Sequence, residues 1–316
     1  MGVSSVIVTC GEAIVDLVPD RDAAGAPIFR PVLGGSLFNV ALGVGRLGGR
    51  AGFLWEVSTD QFGAPFLAAL REAGVDLSLT RVTDRPSAVA VVDLSGPEPR
   101  YSIADPGRIM STFEPGDVRE VVDRSDCFHT GSAILALEPL GSRLEALCRA
   151  IADRMVVSID FNVRPPSVSD REAYRARLAR LERTAAILKA SDVDLEFLHG
   201  DVGPDVHLDR WLASGAALGI VTLGDAGAVA ATPAGRVHVP ARPVAVRDTV
   251  GAGDAFMAGL LAALQRRGPL SRDGLTALDA HALSQILAYA TDVAAACCRH
   301  QGCHMPWPAD LAAAAC

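Results

Sequence analysis

Apolar positions along this chain follow two alternating rhythms. Short runs rich in β-formers read as strands: "SSVIVTCGE" (4–12), "RAGFLWEV" (50–57), "DCFHTGS" (126–132), "MVVSIDFN" (155–162), "AAILKAS" (185–191) and "LGIVTLG" (218–224). Between them lie "FGAPFLAALREAG" (62–74), "LGSRLEALCRAIAD" (140–153) and "DREAYRARLARLERT" (170–184), whose apolar residues recur at i, i+3 and i+4 as on a helix face. This alternation predicts an α/β fold, a Rossmann-like and mostly parallel sheet flanked by helices, with right-handed connections. Ligands of such a sheet sit at the carboxyl ends of its strands. Two segments break the rhythm: 17–32 and 87–105 read as strand–turn–strand with no helix beside them. They predict a small β-subdomain, spanning about 13–33 and 85–106, inserted in one domain covering 1–316. No internal repeat or low-complexity linker divides the chain.

Composition narrows the class. The chain has 316 residues, half of them hydrophobic, enough for a large core. A formal charge of −8 argues against a general nucleic-acid binder. Lys189 is the single lysine, so no Gly-Lys-Ser/Thr phosphate loop exists. Seven cysteines without framework spacing read as reduced thiols in a cytoplasm. Glu12 and Asp16 interrupt the apolar start, which has no basic leader, and no uncharged run approaches the roughly 18 residues of a membrane span.

The stretch "DTVGAGDAF" (248–256) carries the most chemistry. Gly251, Ala252 and Gly253 leave backbone N–H groups bare where the helical run 251–267 begins, and such a helix start receives anions, phosphate above all. Asp254 beside a phosphate makes sense as the base that takes a proton from an attacking hydroxyl. Alone, the stretch fits equally well an ordinary turn followed by an acid favoured in a first helical turn.

Two other motifs read as structural. "GVGRLG" (43–48) is a literal G-x-G-x-x-G, but it ends a helical pattern and precedes a strand, the reverse of the dinucleotide fingerprint. Gly43 and Gly45 then permit close helix packing, with Gly48 and Gly49 as the stop. "CCRHQGCH" (297–304) invites zinc, yet its spacing is cramped and no second pair exists, so it reads as small apolar cysteines with a basic helix cap.

With "GEAIVDLVP" (11–19), "LGGSLFNVALGVGRLGG" (33–49), "VSTDQFGAPFLAALREAGVD" (57–76), "SIDFNVRPP" (158–166), "VTLGDAG" (221–227) and "DTVGAGDAF" in this order, the chain resembles the ribokinase-like PfkB sugar kinases. The Asp-x-Asn-x-Arg segment is similar to that of the fructokinase and 2-keto-3-deoxygluconate kinase branch. The resemblance implies a β-sheet lid, transfer of the γ-phosphoryl group of ATP to a sugar hydroxyl with Mg²⁺, a possible K⁺ requirement, and a homodimer formed through the lid. It implies Asp254 as catalytic base, Gly251, Ala252 and Gly253 as anion hole, and Arg164 near the transferring phosphate or an acidic substrate group. Asp16, Gly34, Gly35, Asn39, Asp160 and Asn162 fall on sugar positions. Lys189, Ser191, Thr222, Gly224, Gly227 and Thr291 fall on nucleotide positions; Asp194 matches a residue that organises Mg²⁺ through water, and Asp248 a monovalent-cation ligand.

The chain departs from the pattern in three places: Ser191-Asp192-Val193-Asp194 replaces Asn-x-x-Glu, "VSTD" (57–60) replaces Val-Gly-Asp-Asp, and Ile103-Ala104-Asp105 stands where fructokinases carry Phe-Tyr-Arg. Fructose, 2-keto-3-deoxygluconate, ribose and nucleosides therefore stay open as substrates. A Schiff-base aldolase using Lys189 has no use for the hairpins or the anion loop. A sugar-binding regulator without catalysis is expected to lack Asp254.

Overall fold

A computed structural model describes residues 6–312, apart from Leu94 and 96–99. The start of the first predicted strand (4–5) and the turn of the second predicted hairpin lie outside the described residues. The main sheet has eight strands in the order Gly235–Val239, Ala228–Thr232, Leu218–Thr222, Ile187–Ser191, Val156–Asp160, Cys127–Gly131, Ile7–Cys10 and Ala51–Leu54. The six strands from Leu218–Thr222 to Ala51–Leu54 are parallel. Ala228–Thr232 and Gly235–Val239 add an antiparallel edge hairpin that the periodicity reading does not foresee. The chain runs from strand Ile7–Cys10 outward to Ala51–Leu54, then returns to Cys127–Gly131 on its other side. That reversal opens a crevice above the carboxyl ends of strands Ile7–Cys10 and Cys127–Gly131.

The irregular segments form a separate four-stranded sheet, ordered Pro27–Gly34, Ile14–Arg21, Val89–Asp93, Arg100–Ala104. Its outer pairs are antiparallel and its central pair parallel. Asp60, from the unusual "VSTD", ties this sheet to the main body. Its carboxylate accepts the N–H groups of Phe62 (3.0 Å) and Gly63 (2.7 Å) at the start of helix Gly63–Glu72. It also accepts Ser87 N–H and Oγ–H, each at 2.8 Å, just before strand Val89–Asp93. Asp105 likewise serves a local end: it accepts Ile109 and Met110 N–H at 2.9 Å, so it braces the chain leaving the small sheet.

Small residues let the helices approach. A Cβ on Gly43 would stand 2.6 Å from the Ala258 Cβ, and one on Gly45 2.5 Å from the Ala73 carbonyl oxygen, so the apparent dinucleotide fingerprint is a packing seam. Gly259 meets Ala290 and Val293 at 3.0 Å in the same way, which seats helix Ala252–Arg266 against Ala280–Cys298. On the other side Phe38 packs edge-to-face on Phe66, centroids 4.7 Å apart, and anchors helix Ser36–Arg46. The helix starting at Ala252 is thereby fixed between two others, its N-terminus at the strand ends.

Candidate active site

Asp254 lies in the first turn of helix Ala252–Arg266 and is 6% exposed. Three residues from elsewhere in the chain hold its carboxylate. Ser36 Oγ donates to Oδ1 at 2.7 Å, Asn39 Nδ2 to Oδ2 at 2.8 Å, and Asn162 Nδ2 reaches Oδ1 at 3.4 Å and Ser36 Oγ at 2.9 Å. Asn162 does this from φ +36°, a conformation asparagine adopts more readily than most residues. The carboxylate is oriented by donors while burial keeps bulk water off.

The helix start is shaped for a ligand. Gly251 has φ +81° and is backed by Cys303: an added Cβ would meet its Sγ at 2.2 Å. The Ala252 amide donates to the Thr249 carbonyl at 3.1 Å, whereas the amides of Gly251 and Gly253 have no partner among the described residues. In front of Gly253 the nearest atom to an added Cβ is Lys189 Nζ, 3.7 Å away. Helix dipole, bare amides and an ammonium group thus converge on one small space beside Asp254.

Lys189 is itself buried and donates to Asp160 Oδ2 at 2.7 Å. Asp160 Oδ1 is buried with no partner among the described residues. Burial pushes the Asp160 carboxyl up, against the pull of Lys189. Asp194 accepts the Val163 N–H at Oδ1 (2.7 Å) and the Ser191 N–H at Oδ2 (2.9 Å), closing a capping box with Ser191. Ser191 Oγ accepts the Asp194 N–H at 3.0 Å, so both side chains serve the helix start. Thr222 ends its strand, followed by a loop with Gly224 at φ +57° and Gly227 at φ +96°. Thr291 is a buried helix residue whose hydroxyl donates to the Leu287 carbonyl at 2.9 Å. Asp248 accepts Val250 N–H (3.0 Å) and Gly302 N–H (2.8 Å), beside the loop that follows helix Ala280–Cys298.

Asp16 enters from the small sheet. Gly34 leaves it room, because a Cβ there would stand 2.6 Å from Asp16 Oδ2. Gly35, at φ +105°, would place a Cβ 2.2 Å from the Glu12 carbonyl oxygen, so both glycines act as spacers. Burial lifts the Asp16 carboxyl to about 6, opposed by the Arg164 charge. Arg164 is exposed, with no ion pair among the described residues, and its charge also reaches Tyr101 on the small sheet.

Two site residues escape the sequence reading, Ser36 and Glu12. Glu12 is 4% exposed; Oε1 takes the Ser36 N–H at 3.3 Å and Oε2 has no partner among the described residues. Desolvation lifts its carboxyl to about 7, and the Asp254 charge adds to the rise. The available signal was an acid inside an apolar strand run. A carboxyl the fold keeps protonated stabilises it fully below the ordinary value of 4.5, and this stabilisation drains away as pH rises toward 7. Glu12→Gln should remove about 3 kcal/mol of that slope, seen by subtracting denaturation curves of variant and parent between pH 4.5 and 8. Parallel curves would refute the buried, protonated state.

A bare helix start facing an oriented carboxylate suits phosphorylation of a hydroxyl, and the architecture around it is that of a small-molecule kinase. The family model for pfkB family carbohydrate kinases matches residues 5–310, so the chain belongs to this family and is a carbohydrate kinase. It is 36% identical over 279 residues to a fructokinase of Rhizobium leguminosarum bv. trifolii, covering 88% of this chain and 85% of that one. A Klebsiella pneumoniae fructokinase is also 36% identical, covering 82% and 84%. Among solved structures, an ATP-bound fructokinase of Xylella fastidiosa superposes with a TM-score of 0.87 at 25% identity, covering 98% of each chain. A Vibrio cholerae fructokinase with fructose, ADP and calcium bound gives 0.78 at 27%, covering 99% of each.

Proposed function

We propose that this kinase transfers the γ-phosphoryl group of ATP to a hydroxyl of fructose. The observation that carries the reading is the buried Asp254 carboxylate, held by Ser36 and Asn39 beside the free amides of Gly251 and Gly253. The fructokinase relatives support the choice of sugar. Asp254 takes the hydroxyl proton as that oxygen attacks, and Ser36 and Asn39 keep the carboxylate aimed. The two amides and Lys189 receive the charge that grows on the moving phosphoryl group. Asp16, placed by the two glycine spacers, binds sugar hydroxyls from the small sheet, with Arg164 and Tyr101 at the mouth of the cleft.

The donor set fits the ions that go with such a nucleotide. Magnesium keeps several waters, and the orphaned Asp160 Oδ1 together with the remaining lone pairs of Asp194 offers those waters acceptors. Magnesium supplies charge neutralisation on the phosphates. The half-buried Asp248 carboxylate, on a loop of backbone carbonyls, suits a monovalent cation. The loop with Thr222, Gly224 and Gly227 lies at a strand end, where a nucleotide is expected.

In this reading the chain is one domain, with the small sheet as its lid, and closure keeps water from taking the phosphoryl group. That sheet exposes Ile28, Phe29, Val91, Tyr101 and Ile103. By register Ile28, Tyr101 and Ile103 share the face of Asp16, and Phe29 and Val91 lie on the other. An open sheet with apolar side chains exposed on both faces favours pairing of two lids in a homodimer. Light scattering should show a dimer at micromolar concentration, and Phe29→Asp with Ile103→Asp should give a monomer; a monomeric parent defeats the proposal. Six described cysteines are free, which supports a cytoplasmic setting.

A second reading keeps the chemistry and changes the sugar: the unpaired Arg164 at the cleft mouth favours an acidic sugar such as 2-keto-3-deoxygluconate. A coupled ADP-release assay with fructose, 2-keto-3-deoxygluconate, ribose and adenosine decides. Fructose is expected to give the highest kcat/KM, and a tenfold preference for the sugar acid would replace it.

A further inference from the structure

We propose that His300, His304 and Asp310 form a binding site for a divalent transition metal of the zinc class, separate from the kinase centre. One ligand atom of each lies within 4.8 Å of the others. The two imidazoles stack, centroids 4.0 Å apart and planes 28° apart. His304 Nε2 stands 3.4 Å from Asp310 Oδ2. A tetrahedron with metal–ligand bonds of about 2.1 Å has edges of roughly 3.4 Å, so this pair already spans one edge. Two imidazoles and a carboxylate are the donors that zinc and its neighbours in the first transition row prefer.

The bland alternative is a surface ion pair between His304 and Asp310. It accounts for only one imidazole. His300 makes no side-chain hydrogen bond to protein among the described residues, yet its ring lies against that of His304, centroids 4.0 Å apart. A metal bound by both rings would open this stack, because the nitrogen lone pairs lie in the ring planes and run nearly parallel while the rings face each other. Asp310 is held by the Trp307 N–H at 2.8 Å, so part of the site is positioned in advance. His304 and Asp310 are about a third exposed, which gives the ion a path in.

The site lies on the loop that supports the phosphate end of the cleft. Gly302 of this loop donates to Asp248, Cys298 accepts the Arg247 N–H at 2.8 Å, and Cys303 is the residue that backs Gly251. At its far side Arg46 donates to the Met305 carbonyl at 2.6 Å and lies over the Trp307 ring. A metal joining residues 300, 304 and 310 clamps the two ends of this segment and stiffens the seat of Gly251. The thiols of Cys297, Cys298 and Cys303 take no part: Cys297 Sγ faces the Val250 carbonyl, and none of the three joins the ligand cluster.

The test uses the full chain without an affinity tag, stripped with chelator and titrated with Co²⁺, then Zn²⁺. One Co²⁺ per chain should bind with visible d–d absorption, be displaced by Zn²⁺, and raise the melting temperature. His304→Ala and His300→Gln should each weaken Zn²⁺ binding by at least about tenfold, since loss of outer partners alone commonly costs 10–100-fold, and should abolish the melting shift. His300→Gln changes a partly exposed ring with no protein hydrogen bond, so it is expected to melt like the metal-free parent. No Co²⁺ uptake by the parent, or undiminished uptake by His300→Gln, overturns the site. A strong near-ultraviolet thiolate band also overturns it, by placing the metal on the cysteines.

Discussion

Asp254→Asn should lower kcat roughly 10²–10⁴-fold, about 3–5 kcal/mol of barrier, while the chain folds and melts like the parent. The fold tolerates the change because the asparagine oxygen can still accept from Asn39, and its amide can donate to Ser36 Oγ. What disappears is a group able to take a proton. The pocket keeps its shape, so KM for the sugar should change by much less than kcat, and a loss confined to kcat is the mark of an interaction made in the transition state. Steady-state kinetics with the best sugar, beside a melting curve, separates the two. Turnover within tenfold of the parent would mean that another group, or water, accepts the proton and that the carboxylate serves binding.

The partners of Asp254 show where sequence reading stops. The "DTVGAGDAF" stretch announces a helix start, an anion and an acid because all three are local properties. Ser36 meets Asp254 across 218 positions of chain, and only the fold brings them together. Glu12 was visible as an acid in an apolar run, but its contact with the start of another helix was not. The parallel sheet was legible because strand and helix periods alternate, whereas the edge hairpin of Ala228–Thr232 and Gly235–Val239 was not. "AVAAT" is buried along most of its length, so it lacks the two-residue alternation of a half-exposed strand, and alanine carries no β-branched signal. Backbone partners were equally hidden: the Ala252 amide turns to Thr249, and Asp105, read as a departure on the lid, is spent on Ile109 and Met110.

The two glycines of the anion loop should fail in opposite ways. Gly251→Ala puts a side chain on a residue at φ +81° and drives its Cβ to 2.2 Å from Cys303 Sγ. The left-handed conformation costs about 1–2 kcal/mol and the overpacking about 1–3, so the variant should lose roughly 2–5 kcal/mol of stability, and activity with it. Cys303→Ala in the same chain should return part of that loss, because it removes the nearest atom but leaves the Cβ 3.0 Å away. Gly253→Ala meets only Lys189 Nζ, at 3.7 Å, and lies in a helical turn where alanine is favoured by up to about 1 kcal/mol. It should therefore melt at or above the parent. Its methyl group nevertheless fills the space between the free amides and the ammonium group, where the transferred phosphoryl must sit. Loss of a single such donor commonly costs 10²–10³-fold in kcat, and a methyl in its path should cost a comparable amount. Melting curves and kcat measured side by side separate a lost fold from a blocked site. A Gly253→Ala enzyme that keeps nearly full activity would mean that the phosphoryl group does not approach these amides, and the assignment of the anion site would fall with it.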